Sequence, residues 1–448
     1  MAYSVGIISL GCAKNRVDAE LMMYQLYQAG YVLKQDAAMA DVAIINTCGF
    51  IESAKQESIN EILELAQLKK EGKIKAIVVT GCLAERYQGQ IMQELAEADA
   101  VIGIGKNADI AEVVRRALEG EKVEAFPDKL ALPLDGGRVQ STEPYWAYLK
   151  IADGCDNCCT YCAIPLIRGR FRSRRMESIV EEAERLVRNG VRELNIIAQD
   201  TTRYGEDLYG RLMLPELLKQ LCRIEDLKWI RLLYCYPDRL TDELLDVIRE
   251  EDKILNYIDL PLQHASGRIL KAMNRRGDYD QLTALVRHIR EKVPGVILRT
   301  TLIAGFPGES EEDFEILSRF VEEAKFERLG CFAYSQEEDT PAALLPDQID
   351  ADVKEHRAEL ISEQSAVIMN EWCESVIDRE IDVLVEGFDR YAECWMGRSA
   401  YDAPEVDPCV FFTVSDRKPK IGEIVRVKIT DHLDCDLVGE MIDQKVHI

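Results

Sequence analysis

The stretch Asp153-Gly-Cys155-Asp-Asn-Cys158-Cys159-Thr-Tyr161-Cys162-Ala-Ile-Pro165 decides how the rest of this 448-residue chain is read. It spaces three thiols as C-x3-C-x2-C, at Cys155, Cys159 and Cys162. Three thiols so close cannot share one strand face or one helix face, so the spacing predicts a loop wrapped round a metal centre. A mononuclear zinc would take a fourth ligand, and no Cys or His pair follows; His264, His288, His356, His432 and His447 stand singly. Three ligands on a 4Fe–4S cluster leave one iron open to a small molecule. Cys158 falls outside that spacing and reads as a bystander.

The motif follows a strand-like run at 145–151 and carries an aromatic residue, Tyr161, directly before its last cysteine. In this it resembles the radical S-adenosylmethionine enzymes. The resemblance implies that the methionyl amine and carboxylate of the cofactor bind the open iron, with Tyr161 beside them. One electron then cleaves the cofactor to a 5′-deoxyadenosyl radical.

Length suggests about three domains. A hydrophobic content of 47% is ample for folded cores. No run approaches the roughly 18 apolar residues of a membrane span, and Met-Ala-Tyr-Ser-Val is no secretory leader. Fourteen cysteines are then expected in a reducing cytoplasm, where metal ligation or catalysis outweighs disulfides. The net charge of −25 argues against a nucleic-acid surface and towards a basic partner, although many acidic chains are acidic only for solubility.

Residues 1–120 alternate strands (5–10, 41–48, 75–82, 100–105) with helices (15–30, 52–72, 83–96, 108–119), which predicts a parallel α/β sheet. Cys12, Cys48 and Cys82 each fall where a strand ends, and in a parallel sheet those ends share one edge. Each has a glycine beside it (Gly11, Gly49, Gly81) that lets backbone approach a bulky group. One such cysteine would be a small apolar filler; three in register read as ligands. The words Leu10-Gly-Cys12-Ala-Lys-Asn15-Arg-Val-Asp18, Asn46-Thr-Cys48-Gly and Thr80-Gly-Cys82 resemble the methylthiotransferases. That family implies a second 4Fe–4S cluster on these three cysteines, its open iron carrying the sulfur co-substrate.

Residues 121–142 lack periodicity and read as a linker. Residues 143–373 then hold six strand-like runs (145–151, 193–199, 229–235, 257–263, 296–305, 327–335) alternating with helices, which predicts an open partial (βα)6 barrel with its chemistry at the strand C-termini. Strand ends carry Gln199, Asp200 and Gly305, which the family reading assigns to S-adenosylmethionine. His264 alone reads as a structural histidine. Arg168, Arg170, Arg172, Arg174 and Arg175 read equally as a solvated face or as partners of a carboxylate or thiolate.

Five short strands within 374–448 predict a small antiparallel, OB-like barrel, and the family carries such a module, called TRAM, at this place. Nine Lys/Arg against seventeen Asp/Glu, a balance of −8, make it a poor phosphate binder. Asp402, Glu405, Asp407, Asp434 and Asp436 are the expected contacts for a basic protein. Cys394, Cys409 and Cys435 have no ligand spacing.

The Gln199-Asp-Thr-Thr-Arg-Tyr-Gly and Leu260-Pro-Leu-Gln-His-Ala-Ser words look most like the ribosomal-protein aspartate methylthiotransferases; Ala13, where many relatives carry proline, is a departure without chemical weight. The resemblance implies methylthiolation of the β-carbon of one aspartate in the twelfth protein of the small ribosomal subunit, with an external electron donor. Methylthiolation of a tRNA adenosine is the nearest alternative, and a zinc-stabilised RNA-binding scaffold the rival from another class.

Overall fold

The apolar runs at 42–47 and 76–81 are buried along their whole length, as strands covered on both faces must be. In the computed structural model, which describes residues 3–415 and 417–442, they lie at the centre of a six-stranded parallel sheet. Its strands are β1 (Ser4–Ser9), β2 (Val32–Lys34), β3 (Val42–Thr47), β4 (Ala76–Gly81), β5 (Ala100–Ile102) and β6 (Val123–Ala125), in the order β2-β1-β3-β4-β5-β6. Helices Ala13–Gln28 and Ile110–Leu118 cover one face and Glu52–Lys70 the other, giving two apolar layers. The first sheet therefore runs on to Ala125, into residues read as linker. Three-residue strands such as β2 and β6 are too short to show a period.

The second sheet begins with β7 (Trp146–Lys150). A two-residue ribbon, β8 (Ala152–Asp153) against β9 (Arg172–Ser173), then pinches the thiol loop at its base. The remaining strands are β10 (Glu193–Ile197), β11 (Trp229–Leu232), β12 (Ile254–Asp259), β13 (Ile297–Ala304) and β14 (Arg328–Ala333). They pair in parallel in the order β14-β13-β12-β11-β10-β7 and do not close, so the six-unit expectation of an open barrel holds. Ala147 and Leu149 join the large core shared with the outer helices, while Trp146 and Tyr148 join a separate concave cluster with Trp229 and Tyr257.

A 26-residue helix, Ala351–Val376, leads into β15 (Glu380–Asp389), β16 (Cys394–Ser399), β17 (Val410–Thr413), β18 (Ile424–Leu433) and β19 (Asp436–Met441), a closed barrel in the order β15-β16-β17-β19-β18. Four of its pairings are antiparallel, but β17 and β19 run parallel, which closes the cylinder.

This barrel docks through buried charge. Glu193 accepts from Arg398 at 2.7 Å and Arg231 at 3.1 Å, and Arg328 pairs with Asp402 at 2.7 Å. The Tyr257 hydroxyl donates to Asp407 at 2.6 Å. Asp402 and Asp407, expected as contacts for a basic partner, instead hold the barrel to the central domain. Glu405 is similarly engaged by Arg16 at 2.7 Å and by the Tyr148 hydroxyl at 2.8 Å. Net charge could not tell an internal carboxylate from a surface one.

Candidate functional site

β1, β3 and β4 are immediate neighbours in the first sheet, so the residues after their C-termini share one edge. Cys12 caps the helix after β1, Cys48 follows β3, and Cys82 opens the helix after β4. Cys48 and Cys82 are buried and Cys12 is exposed, all three as free thiols. Gly11 is required here: its φ is +86°, and a Cβ would sit 2.7 Å from Cys48 Sγ. Burial pushes the Cys82 thiol up to about 12, with Arg168 opposing and Cys12 and Cys48 adding to the rise. Burial also raises Cys48. A thiol that binds metal does so by releasing its proton.

Cys155, Cys159 and Cys162 lie on the loop between β8 and the helix Ile164–Arg168. Gly154, at φ +79°, brings the loop base so close that a Cβ would lie 2.1 Å from the Arg170 carbonyl. The Thr160 amide and hydroxyl donate to the Met273 and Ala272 carbonyls at 3.0 and 2.8 Å, and Asn274 donates to the Cys158 carbonyl at 3.0 Å. Cys158 is exposed. Burial pushes Cys155 up to about 12 and raises Cys162 further. Tyr161 packs into the cluster of Ile269, Phe306 and Tyr334, and burial followed by Cys159 and Cys162 raises its phenol. Arg275 was not singled out from sequence. It reaches Cys159 Sγ at 3.7 Å, donates to the Pro261 carbonyl at 2.7 Å and stacks on Tyr236.

The first domain meets the segment after the thiol loop through Cys82. Cys82 packs against Ala163 and Ile167, the residues just beyond Cys162. Arg168 donates to Asn15 Oδ1 at 2.7 Å and approaches Cys82 Sγ at 3.5 Å. It also pairs with Asp18 and, at 3.2 Å, with Asp153; Lys150 joins Asp18 and, at 2.9 Å, Asp153. All four charged side chains are essentially inaccessible, and two anions balance two cations. Burial alone would raise the Asp153 carboxyl, but Lys150 and Arg168 hold it well below the usual carboxylate range. The arginine run thus divides. Arg168 and Arg174 are buried, Arg174 pairing with Glu182 at 2.6 Å, whereas Arg170 and Arg175 face solvent.

At the other strand ends, Asp200 is buried and accepts from Thr202 Oγ1 at 2.6 Å and Asn157 Nδ2 at 2.9 Å, which ties β10 to the thiol loop. Gln199 donates weakly to Asp153 at 3.4 Å, and its buried Oε1 has no partner. Such an orphaned acceptor fits a ligand that brings a donor. Gly305 has a φ of +73°, and a Cβ there would meet Lys354 Cγ at 2.3 Å, so the helix Ala351–Val376 packs closely against it. His264 Nδ1 accepts from the Ser266 amide at 2.9 Å and Nε2 faces Glu309 at 3.2 Å, a satisfied structural histidine.

Among the described residues no three His, Cys, Asp or Glu side chains stand close enough to share one metal ion. The ligands of a four-iron cluster stand farther apart than those of a single ion. The loop thiols, the neighbouring Arg275 and the orphaned Gln199 oxygen fit such a cluster with S-adenosylmethionine.

Comparisons with known proteins agree with this geometry. Residues 4–103 match "Uncharacterized protein family UPF0004", 149–321 the Radical SAM superfamily and 377–442 the TRAM domain. A "Ribosomal protein uS12 methylthiotransferase RimO" of Desulforamulus reducens is 50% identical, covering 98% of this chain and 99% of its own. The protein of the same name from Lachnoclostridium phytofermentans is 48% identical over 96% and 98% of the two chains. Among solved structures, the radical S-adenosylmethionine methyltransferase TsrM of Kitasatospora setae superposes with a TM-score of 0.58 at 14% identity, covering 77% of each chain. The cobalamin-dependent radical enzyme OxsB superposes with a TM-score of 0.51 at 13% identity, over 82% of this chain and 56% of that one. At such identities the likeness is one of fold. Near-full-length identity to the RimO proteins is decisive: the chain belongs to the radical S-adenosylmethionine family of ribosomal protein uS12 methylthiotransferases.

Proposed function

We propose that the chain methylthiolates the β-carbon of an aspartate in ribosomal protein uS12, using two 4Fe–4S clusters and S-adenosylmethionine. The observation that carries the reading is the seam itself, where Cys82 packs on the helix that follows Cys162. Bound at the barrel loop, cluster and cofactor supply a carbon radical able to take hydrogen from an unactivated C–H bond, a bond no side chain deprotonates at neutral pH. Cys155, Cys159 and Cys162 hold that group, and Arg275 offsets the charge at Cys159. Cys12, Cys48 and Cys82 would hold the second cluster, which would supply the sulfur. Arg168 fixes the two sets relative to each other, so the substrate carbon meets sulfur where it lost hydrogen. An external donor would supply the electrons, and a second cofactor molecule the methyl group. No described helix is long and apolar enough to cross a membrane, and the acidic chain suits a basic protein partner in the cytoplasm.

The test pairs two triple variants. With Cys155, Cys159 and Cys162 changed to Ala, the chain loses the iron of one cluster and all 5′-deoxyadenosine formation. With Cys12, Cys48 and Cys82 changed to Ala, it still cleaves the cofactor but leaves uS12 unmodified. Product on uS12 from the second variant, or wild-type product on tRNA instead, overturns the reading.

A further inference from the structure

Lys14 is a buried cation without an anion. It is 5% exposed, and its ammonium lies 2.9 Å from the centroid of the Tyr234 ring. Among the described residues no carboxylate, thiol or carbonyl engages that ammonium. The other buried lysines have anions, Lys150 two carboxylates and Lys55 the carboxylate of Glu52. Lys14 also occupies the first turn of the helix Ala13–Gln28, where the helix dipole opposes a positive charge and no acidic residue offsets it. A cation–π contact recovers only part of the cost of desolvating an ammonium. The ammonium itself is not fully enclosed, so an entering anion can reach it.

Its position says which anion. Lys14 is two residues from Cys12 on the first domain, and its partner Tyr234 lies just past β11 on the barrel rim. Tyr234 is held at φ +58° with its amide bonded to Asp259 at 2.9 Å. The ammonium therefore lies in the seam between the N-terminal thiols and the barrel rim, whereas the radical loop has its own cation in Arg275. The β-carbon of an aspartate is one bond from its carboxylate. A group holding that carboxylate must therefore stand beside the place where sulfur is delivered.

We propose that Lys14 receives the side-chain carboxylate of the target aspartate and is the residue that selects an acidic side chain at the modified position. This rests on the functional reading above and adds the recognition element to it. Tyr234 serves as the floor that holds the ammonium ready before the substrate enters, so little ordering remains to be done on binding.

The methionyl carboxylate of the cofactor is the other source of the same chemistry, and the experiment separates the two. Lys14→Met keeps the length and apolar body of the side chain but not its charge. Equilibrium binding of uS12 and of S-adenosylmethionine is measured for wild type and variant, alongside turnover of uS12 carrying Asp or Asn at the target position. A charge-assisted hydrogen bond of this kind predicts about a 10- to 100-fold loss of uS12 affinity and kcat/KM in the variant. The wild-type preference for Asp over Asn is expected to collapse with it, while cofactor affinity stays. Equal wild-type turnover of the Asp and Asn substrates overturns the assignment, and so does a Lys14→Met variant that keeps the preference. Loss of cofactor affinity by the same factor gives Lys14 to the cofactor instead. Wild type that never modifies uS12 overturns the functional reading itself and this assignment with it.

Discussion

Arg168 shows how much can hang on one side chain. Its guanidinium touches Asn15, Cys82, Asp18 and Asp153, and three of these four belong to the other domain. A lysine cannot reproduce that fork, because an ammonium is a compact point charge on a flexible stem. Arg168→Met leaves two buried carboxylates facing Lys150 alone. Losing one member of such a group costs about 3–5 kcal/mol. The expected outcome is a lower unfolding midpoint and faster proteolysis between the first two domains. Arg168→Lys is expected to recover little of either. A lysine variant indistinguishable from wild type in both measurements would show that charge alone suffices and that the fork is irrelevant.

At the level of elements, the thiol loop depends on the ribbon at its base. Gly154 has a left-handed φ and faces the Arg170 carbonyl, so Gly154→Ala combines steric collision with backbone strain. The strand pairs Ala152 with Ser173 and Asp153 with Arg172 then separate, and the loop loses its fixed span. The variant is expected to bind less iron at the barrel site, read by iron analysis in the Cys12, Cys48 and Cys82 triple-alanine background, where only that site can bind it. Unchanged iron in that background would rule out the ribbon as the clamp. The thiol spacing announces this loop in sequence, because close cysteines have few other uses. The N-terminal triad was legible for a different reason, since strand alternation alone carries Cys12, Cys48 and Cys82 to one edge. The six barrel strands were legible through their apolar runs. Three-residue strands carried no period, and the close packing of Lys354 against Gly305 leaves no signal in sequence. Lys14 lay within a quoted motif, yet its missing counter-charge is a property of space, not of spacing.

In the whole molecule the central barrel is held by its neighbours from two directions. The N-terminal domain bridges the barrel, pairing at the β7 end through Asp18 with Lys150 and beyond β14 through Arg86 with Glu337 at 3.0 Å. The C-terminal barrel enters the concave side, where Leu384 and Ala403 join Trp146, Trp229 and Tyr257. Glu193 is its main electrostatic anchor. Burial would raise this carboxyl, but Arg398 and then Arg231 outweigh burial and hold it below the usual value. A carboxyl depressed in the folded state stabilises above its unfolded pKa of about 4.3, and that contribution is lost as pH falls further towards the folded value. Docking of the C-terminal barrel is therefore expected to be constant from neutral pH down to about 5 and to weaken below about 4. Glu193→Gln leaves Arg398 and Arg231 buried against a neutral amide, so the variant is expected to show the weakened state already at neutral pH and little further change in acid. Protease sensitivity near the end of the helix Ala351–Val376, followed against pH, reads this directly. If wild type and Glu193→Gln lose protection along the same acid curve, another carboxylate controls the docking. Asp407 is not that group, because burial raises its carboxyl despite Arg328, so its protonation favours the docked state as the pH falls.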